Sequence, residues 1–489
     1  MDSVTSAAVQ SISYWPLAVL GISMAFIVIG IAVLRIHPFL VLSLAAILTG
    51  LMSSQLPGVP PMNPLVQAVE LSMSEFGRAA GNITFVILLA AIIGMCMLES
   101  GAADKIVRRS IAVLGEKRAP LALLGSGFFL SIPVFFDTVF FLLIPLARAL
   151  ALRTGRNYVL YVLAICTGGV ITHVLVAPTP GPLLVAETLR PLGLDLGTSM
   201  VAGILCGIIP AIAMLYLARW LDVRLPVPLR ETPGAPLDEL QAIVDKEESA
   251  LPPFVLAIQP VVLPVLLIAC ASFMGLAQTS LPSVVAMLGG DSGFEALKKY
   301  VDFFGNKNIA MLIGTAFAIY LLVRQKKLGL HQVSNAMGPP LETAGVIILI
   351  TAAGGAFGAM IRHSGVGDVI KDIAEGYGVN YVFLAWVVAA VIRVAQGSGT
   401  VAMITASGLM LAILGDGSAL TVHPIYIFLA IGFGALFCSW MNDSGFWVVG
   451  KLSGFTERET LKSWTVLTIF ISLVGLAEVM VMSTILPLK

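Results

Sequence analysis

The sequence predicts an all-α polytopic membrane protein of two inverted repeats, each with five crossings, a re-entrant hairpin and a broken helix. Three observations predict it. Of its 489 residues, 58% are hydrophobic and 11% charged, with a mean hydropathy of +0.97, whereas soluble domains are about 25% charged. Its apolar residues fall in blocks of about 16–25, enough for a helix to cross a hydrocarbon core of about 30 Å. Short signatures also recur in the same order in both halves, with different charges beside them.

Net charge is zero and there is no basic arm, so nucleic acid is not an expected partner. Met1 to Gln10 carry Asp2 but no Lys or Arg, so the first apolar block reads as a retained span and not a cleaved signal. Cys96, Cys166, Cys206, Cys270 and Cys438 stand singly among apolar residues and read as packing residues, with no metal site expected.

Ordinary spans are read at 15–34, 38–55, 82–99, 198–218, 254–277, 308–323, 341–362 and 464–484. Four stretches differ because Pro or Gly interrupts them. Residues 119–147 break at Ile132-Pro133, and 380–414 break at Gln396-Gly397-Ser398-Gly399. Both read as hairpins. Residues 157–189 break at Ala177-Pro178-Thr179-Pro180-Gly181-Pro182, and 425–450 at Asn442-Asp443-Ser444-Gly445. Both read as broken helices.

The run Ser100-Gly101-Ala102-Ala103-Asp104-Lys105-Ile106 resembles Ser364-Gly365-Val366-Gly367-Asp368-Val369-Ile370. Leu163-Ala164-Ile165 with Gly168 likewise matches Leu429-Ala430-Ile431 with Gly434. These matches divide the chain into a first repeat, 1–220, a cytoplasmic Pro-rich acidic linker, 221–253, and a second repeat, 254–489.

Charge sets their orientation, because cytoplasmic loops collect Lys and Arg. The loop after the first Ser-Gly pair holds Lys105, Arg108, Arg109, Lys117 and Arg118; its counterpart sets Lys371 against Asp368, Asp372 and Glu375. Equivalent loops therefore face opposite sides. A re-entrant 119–147 keeps Arg148, Arg153 and Arg156 in the cytoplasm with Lys117 and Arg118. The count reaches ten crossings, with both termini outside. Broken backbone at membrane depth is tolerated where it lines a cavity, and paired interruptions in inverted halves point to a mid-membrane binding site.

Several residues at the breaks carry chemistry. Asp137 lies in Pro133-Val134-Phe135-Phe136-Asp137-Thr138. A carboxylate among phenylalanines is costly to ionise, which suits a proton carrier or substrate contact; the plainer reading is a helix cap. Asp443 reads as a proton acceptor, a cap, or a partner for substrate hydroxyls. Arg393 is permanently charged and needs a partner, either the carboxylate of a substrate or Asp137 or Asp443, or else it snorkels to the surface. His173, after Thr172, suits proton transfer or neutral hydrogen bonding. Thr179, Gly181, Ser398, Gly399, Thr400, Asn442, Ser444 and Gly445 offer hydroxyl, amide or open backbone to a polyhydroxy anion. Glu187 and Glu99 read as solvated or structural. No HExxH, Walker A, GxGxxG or GxSxG motif is present, so no enzyme or ATP drive is expected.

At these breaks the sequence resembles the gluconate permease (GntP) family of the ion transporter superfamily. The resemblance rests on Ile132-Pro133-Val134-Phe135-Phe136-Asp137, Pro180-Gly181-Pro182, Gly354-Gly355-Ala356-Phe357-Gly358, Arg393-Val394-Ala395-Gln396-Gly397-Ser398, Asn442-Asp443-Ser444-Gly445-Phe446-Trp447 and Glu459-Thr460-Leu461-Lys462. It implies proton symport of gluconate or related acids through the bacterial inner membrane, by a homodimer with an elevator motion. No cofactor is implied beyond the coupling proton, with sodium as the alternative ion. The family often reads Pro-Pro-His-Pro-Gly-Pro where this chain has Ala177-Pro178-Thr179-Pro180-Gly181-Pro182. Without that imidazole, a shorter hydroxy acid, another sugar acid or an amino acid such as serine stands as alternative cargo. An intramembrane enzyme or sensor is the remote alternative.

Overall fold

The computed structural model describes residues 14–53, 56, 63–230, 251–280, 282–288, 290–366, 369, 379–418, 420–441 and 443–488. Among them the regular structure is helical, without strands. The first half runs through α1 (Trp15–Val28), α2 (Pro38–Met52), α3 (Pro64–Glu99) and α4 (Ala102–Leu114). It continues with α5 (Ala119–Leu130), α6 (Phe136–Thr154), α7 (Tyr158–Leu175), α8 (Pro180–Leu189), α9 (Leu196–Cys206) and α10 (Ile208–Arg224).

The second half opens with α11 (Phe254–Ser280), α12 (Pro282–Met287), α13 (Gly290–Gly305), α14 (Lys307–Lys326), α15 (Leu330–Ala336) and α16 (Gly338–His363). It ends with α17 (Tyr381–Gln396), α18 (Gly399–Leu414), α19 (Ile425–Gly434), α20 (Ser444–Leu452), α21 (Glu457–Thr460) and α22 (Val466–Ile485). Long α3 and α16 each precede two interrupted pairs, α5/α6 with α7/α8 and α17/α18 with α19/α20. Residues 231–250 of the linker lie outside the described residues, as do Asp368, Lys371, Asp372 and Glu375 of the loop used for orientation.

Among the described residues, seven helical runs are long and apolar enough to cross a membrane, with five shorter apolar helices beside them. The outer helices α10, α11 and α22 expose Ile209, Trp220, Leu266, Phe273, Leu473 and Val481. So much apolar surface suits lipid and not water. The interior holds α7, buried except at His173, and α19, buried along its whole length. α18 is buried from Val401 to Leu414.

Several helices exceed the sequence reading, α4 among them, since Lys105, Arg108 and Arg109 lie on that helix and not in a loop. α3 starts at Pro64 and not near 82; at 36 residues it is about 54 Å long. Its first half carries Gln67, Glu70, Glu75 and Arg78, which hid it from a hydropathy pattern. Asn63 starts it by accepting a hydrogen bond from the Leu65 N–H at 3.0 Å. Helix α13 was not read as a span or helix because Asp291, Glu295, Lys298, Lys299 and Asp302 dilute its apolar stripe. α16 packs on α2, α3 and α18, α5 packs along α7, and α17 packs on α18 and α19.

Candidate functional site

Each interruption has a local cause. Pro133 lacks an N–H and disfavours helix at Ile132, so α5 ends at Leu130 and α6 begins at Phe136. Pro178 and Pro180 end α7, and Pro180 then opens α8, where a missing N–H is harmless. The Thr179 hydroxyl donates to the carbonyls of Val176 and His173, at 2.7 and 2.9 Å. It thereby satisfies groups freed at the end of α7.

Gly397 ends α17 in a left-handed conformation, φ 85°, which glycine adopts without a Cβ penalty. Ser398 then caps α18 by accepting from the Val401 N–H at 3.3 Å. Asp443 caps α20 by accepting from the Gly445 N–H at 3.1 Å. All four breaks therefore end one helix and start another.

All four open on one cavity of about 420 Å³. The first contributes Phe135, Phe136, Asp137 and Thr138, and the second His173, Val174 and Pro180. The third contributes Ser398, Gly399 and Thr400 with Arg393, and the fourth Ala435, Leu436, Asp443, Ser444 and Gly445. Four helices, α6, α8, α18 and α20, thus start at this cavity. Each N-terminus carries about half a positive charge, and those of α6, α18 and α20 also present N–H groups, whereas α8 opens on Pro180 and Pro182, which have none. That arrangement attracts anions.

Two charged groups in the cavity wall are paired. Arg393 Nη2 donates to Asp443 Oδ2 at 2.5 Å, with the two residues 5% and 8% exposed. Arg393 Nη1 also donates to the Gly397 carbonyl, tying the pair to the turn between α17 and α18. Asp443 Oδ2 accepts from Ser439 Oγ, which accepts from Trp464 Nε1 at 2.7 Å. The Trp464 ring stacks on Phe136, with centroids 5.5 Å apart and planes 19° from parallel. Among the described residues, Arg393 Nε and His173 Nδ1 are buried without a hydrogen-bond partner. Asp137 is exposed and lines the cavity.

Asp137, His173, Arg393, Ser398, Gly399, Thr400, Asp443, Ser444 and Gly445 therefore share this cavity. Three other expected residues do not line it. Thr179 serves the turn, Thr172 is fully buried, and Gly181 packs so closely that a Cβ there would lie 2.7 Å from Met403 Sδ. Asn442 lies outside the described residues. Glu187 is bonded to Lys307 at 2.6 Å and Glu99 to Lys326 at 3.4 Å. Cavity residues not singled out from the sequence include Thr343 and Thr351 on α16, with Trp464 and Thr468 near the start of α22. None lies at a break. The only signal for the α16 pair is its helical spacing, with Ile347 and Ile350 completing one face.

Comparison with known proteins agrees with this architecture. A family model described as GntP family permease matches residues 15–485. A gluconate permease of Pseudomonas aeruginosa is 32% identical, covering 94% of this chain and 96% of its own. The Gnt-II system L-idonate transporter of Escherichia coli is 28% identical, over 96% of this chain and all of its own. The crystal structure of the Alcanivorax borkumensis YdaH transporter shares the fold, with a TM-score of 0.62, 17% identity, and coverage of 93% of this chain and 100% of that one. With four interrupted helices meeting at one cavity and a family match along nearly its whole length, the chain belongs to the GntP family of permeases.

Proposed function

We propose that this permease imports small organic anions, gluconate or a related sugar or hydroxy acid, by proton symport. The observation that supports this most is the convergence of four helix N-termini on a cavity that also holds Asp137. The N-termini suit a carboxylate. Since Asp443 is neutralised by Arg393, Asp137 is the carboxylate left to carry a proton. An anion about 5 Å from an ionised Asp137 is opposed by roughly 3 kcal/mol at an effective dielectric near 20. Proton uptake removes that repulsion, so anion and proton favour each other's binding.

In this reading His173 assists proton movement, and Asp443, held by Arg393, serves substrate contact. The two halves, 1–220 and 254–489, are inverted repeats with ten crossings, in a bacterial inner-membrane homodimer with periplasmic termini. The hairpins and broken helices move as an elevator against the remaining helices.

The test is uptake of labelled gluconate and other sugar or hydroxy acids into proteoliposomes under separately imposed proton and sodium gradients. Accumulation driven by protons alone is expected. Accumulation that follows sodium and ignores protons overturns the coupling, and no uptake of any such acid overturns the cargo.

A further inference from the structure

We propose that a second cavity, beside Arg362 near the end of α16, is an anion site that collects small carboxylates on their way to the central cavity. Its place on the route rests on the anion reading of the central cavity; its affinity for a carboxylate does not.

The two cavities lie end to end along the same three helices. α16 gives Thr343, Ile347 and Ile350 to the central one and Gly355, Gly358 and Arg362 to the other. α18 gives Gly399, Thr400 and Val401 to the first and Ile404, Gly408 and Leu411 to the second. α8 gives Pro180 and then Leu184, Glu187 and Thr188, while α3 closes the second cavity with Glu75, Arg78 and Asn82. From Ile350 to Arg362 the helix rises about 18 Å. At the intervening level Met403 packs on Gly181 and Ile404 on Gly354, so closely that a Cβ on either glycine would lie 2.7 Å from the facing side chain.

The charges of the second cavity do not cancel. Arg78 pairs with Glu75 at 3.3 Å, and His363 stands 3.4 Å from the same carboxylate. Lys307 holds Glu187 at 2.6 Å, with Arg190 at 3.8 Å. Both carboxylates of the wall are thus neutralised from within the protein. Arg362 adds its field to that of Arg78 on Glu75, but among the described residues its side chain bonds no carboxylate.

Arg362 is half-buried in the wall, and a guanidinium cannot give up its charge. Its planar fork suits a carboxylate, which it meets with two parallel hydrogen bonds. The cavity holds about 190 Å³, less than the roughly 300–1,000 Å³ of pockets for drug-sized ligands, so the anion is small. Asn82 and Thr188 face the same space and offer an amide and a hydroxyl to the rest of the acid.

The second cavity belongs to the outer side in the orientation proposed above. Arg324, Lys326 and Lys327 precede α16, and such clusters mark the cytoplasmic side, which puts Arg362 toward the opposite face. An unneutralised cation in a cleft raises the local concentration of anions. Acids arriving from outside therefore meet Arg362 before the central cavity.

The experiment measures equilibrium binding of labelled gluconate to purified full-length protein over a wide concentration range. Wild type is expected to show two components. Arg362→Gln is expected to weaken one of them about ten-fold or more and to change the other by less than about two-fold. Arg362→Lys, which keeps the charge, is expected to recover most of the loss. Raising the salt from about 20 mM to about 500 mM is expected to weaken the same component more than the other, since a half-exposed charge is screened. A single wild-type component that survives Arg362→Gln overturns the inference while leaving the central reading standing. So do two components that both survive it, an equal loss of both that lysine does not recover, or an Arg362-dependent component indifferent to salt. A single component that disappears in Arg362→Gln supports this site and overturns the central one. Wild-type protein that binds no gluconate overturns both.

Discussion

Arg393 and Asp443 meet at 2.5 Å although they lie 50 positions apart and belong to different interrupted helices. The contact joins the tip of the α17/α18 pair to the start of α20. Each partner also holds backbone, Arg393 the Gly397 carbonyl and Asp443 the Gly445 N–H. The pair therefore fixes two helix N-termini relative to one another.

Removing one partner strands a buried charge, which costs about 3–5 kcal/mol. Arg393→Met and Asp443→Asn are each expected to lower the melting temperature markedly, and the double variant to lose less than their sum. Strictly additive losses in a double-mutant cycle count against an energetic coupling. Arg393→Lys keeps the charge but loses the planar fork that reaches Gly397 and Asp443 together. It is expected to weaken acid binding; unchanged affinity for every transported acid assigns Arg393 a structural role alone.

Asp137 governs the second expectation. Asp137→Asn keeps size and polarity but takes up no proton at physiological pH. Proton-driven accumulation is expected to vanish while the protein stays in the membrane and still exchanges labelled for unlabelled acid. Accumulation at the wild-type level removes Asp137 from the coupling.

The sequence made the site legible where backbone chemistry is written in residue type. Pro133, Pro178, Pro180, Gly397 and Asp443 marked all four breaks, and residues next to them form most of the cavity wall. Residue type did not reveal which groups face inward. Thr179 and Thr400 both sit beside breaks, yet Thr179 bonds its own turn and Thr400 lines the cavity. Nor did it reveal an uninterrupted helix, so α16 contributed Thr343 and Thr351 unannounced. The Arg393–Asp443 pairing was one of several open readings, since a substrate carboxylate, Asp137, Asp443 or an exit to the surface all satisfy a guanidinium. In α3, polar residues of the first half masked a continuous helix that hydropathy alone truncates.

Glu187 was read as solvated or structural, and the structural alternative fits, with its side chain 11% exposed against Lys307 at 17%. Lys307 also donates to the Asn82 carbonyl at 3.0 Å, so one ammonium links α8, α14 and α3. Lys307→Met is expected to destabilise by about 2 kcal/mol, with Glu187→Gln milder because its amide oxygen still accepts. Thermal unfolding of both variants checks the order. A Lys307→Met protein that melts like wild type shows that the link contributes nothing to stability.

The last expectation concerns how closely α16 and α18 approach. A Cβ on Gly408 would lie 2.4 Å from the Gly358 Cα, and one on Gly358 would lie 2.9 Å from the Gly408 Cα. Backbone meets backbone, as small residues permit between membrane helices. No flexible side chain is available to move aside, so Gly408→Ala must part the helices. The expected loss is about 1–3 kcal/mol, the range for overpacking. Because α18 begins at Gly399 in the cavity and Thr343, Ile347 and Ile350 of α16 also line it, parting the two helices also changes the shape of that cavity. Gly408→Ala should therefore lower both the melting temperature and the affinity for gluconate. Gly125→Ala is the matched control, because a Cβ there meets nothing within 4 Å and alanine favours helix. If the two variants melt alike and bind gluconate alike, the close approach of α16 and α18 does not set the geometry of the site.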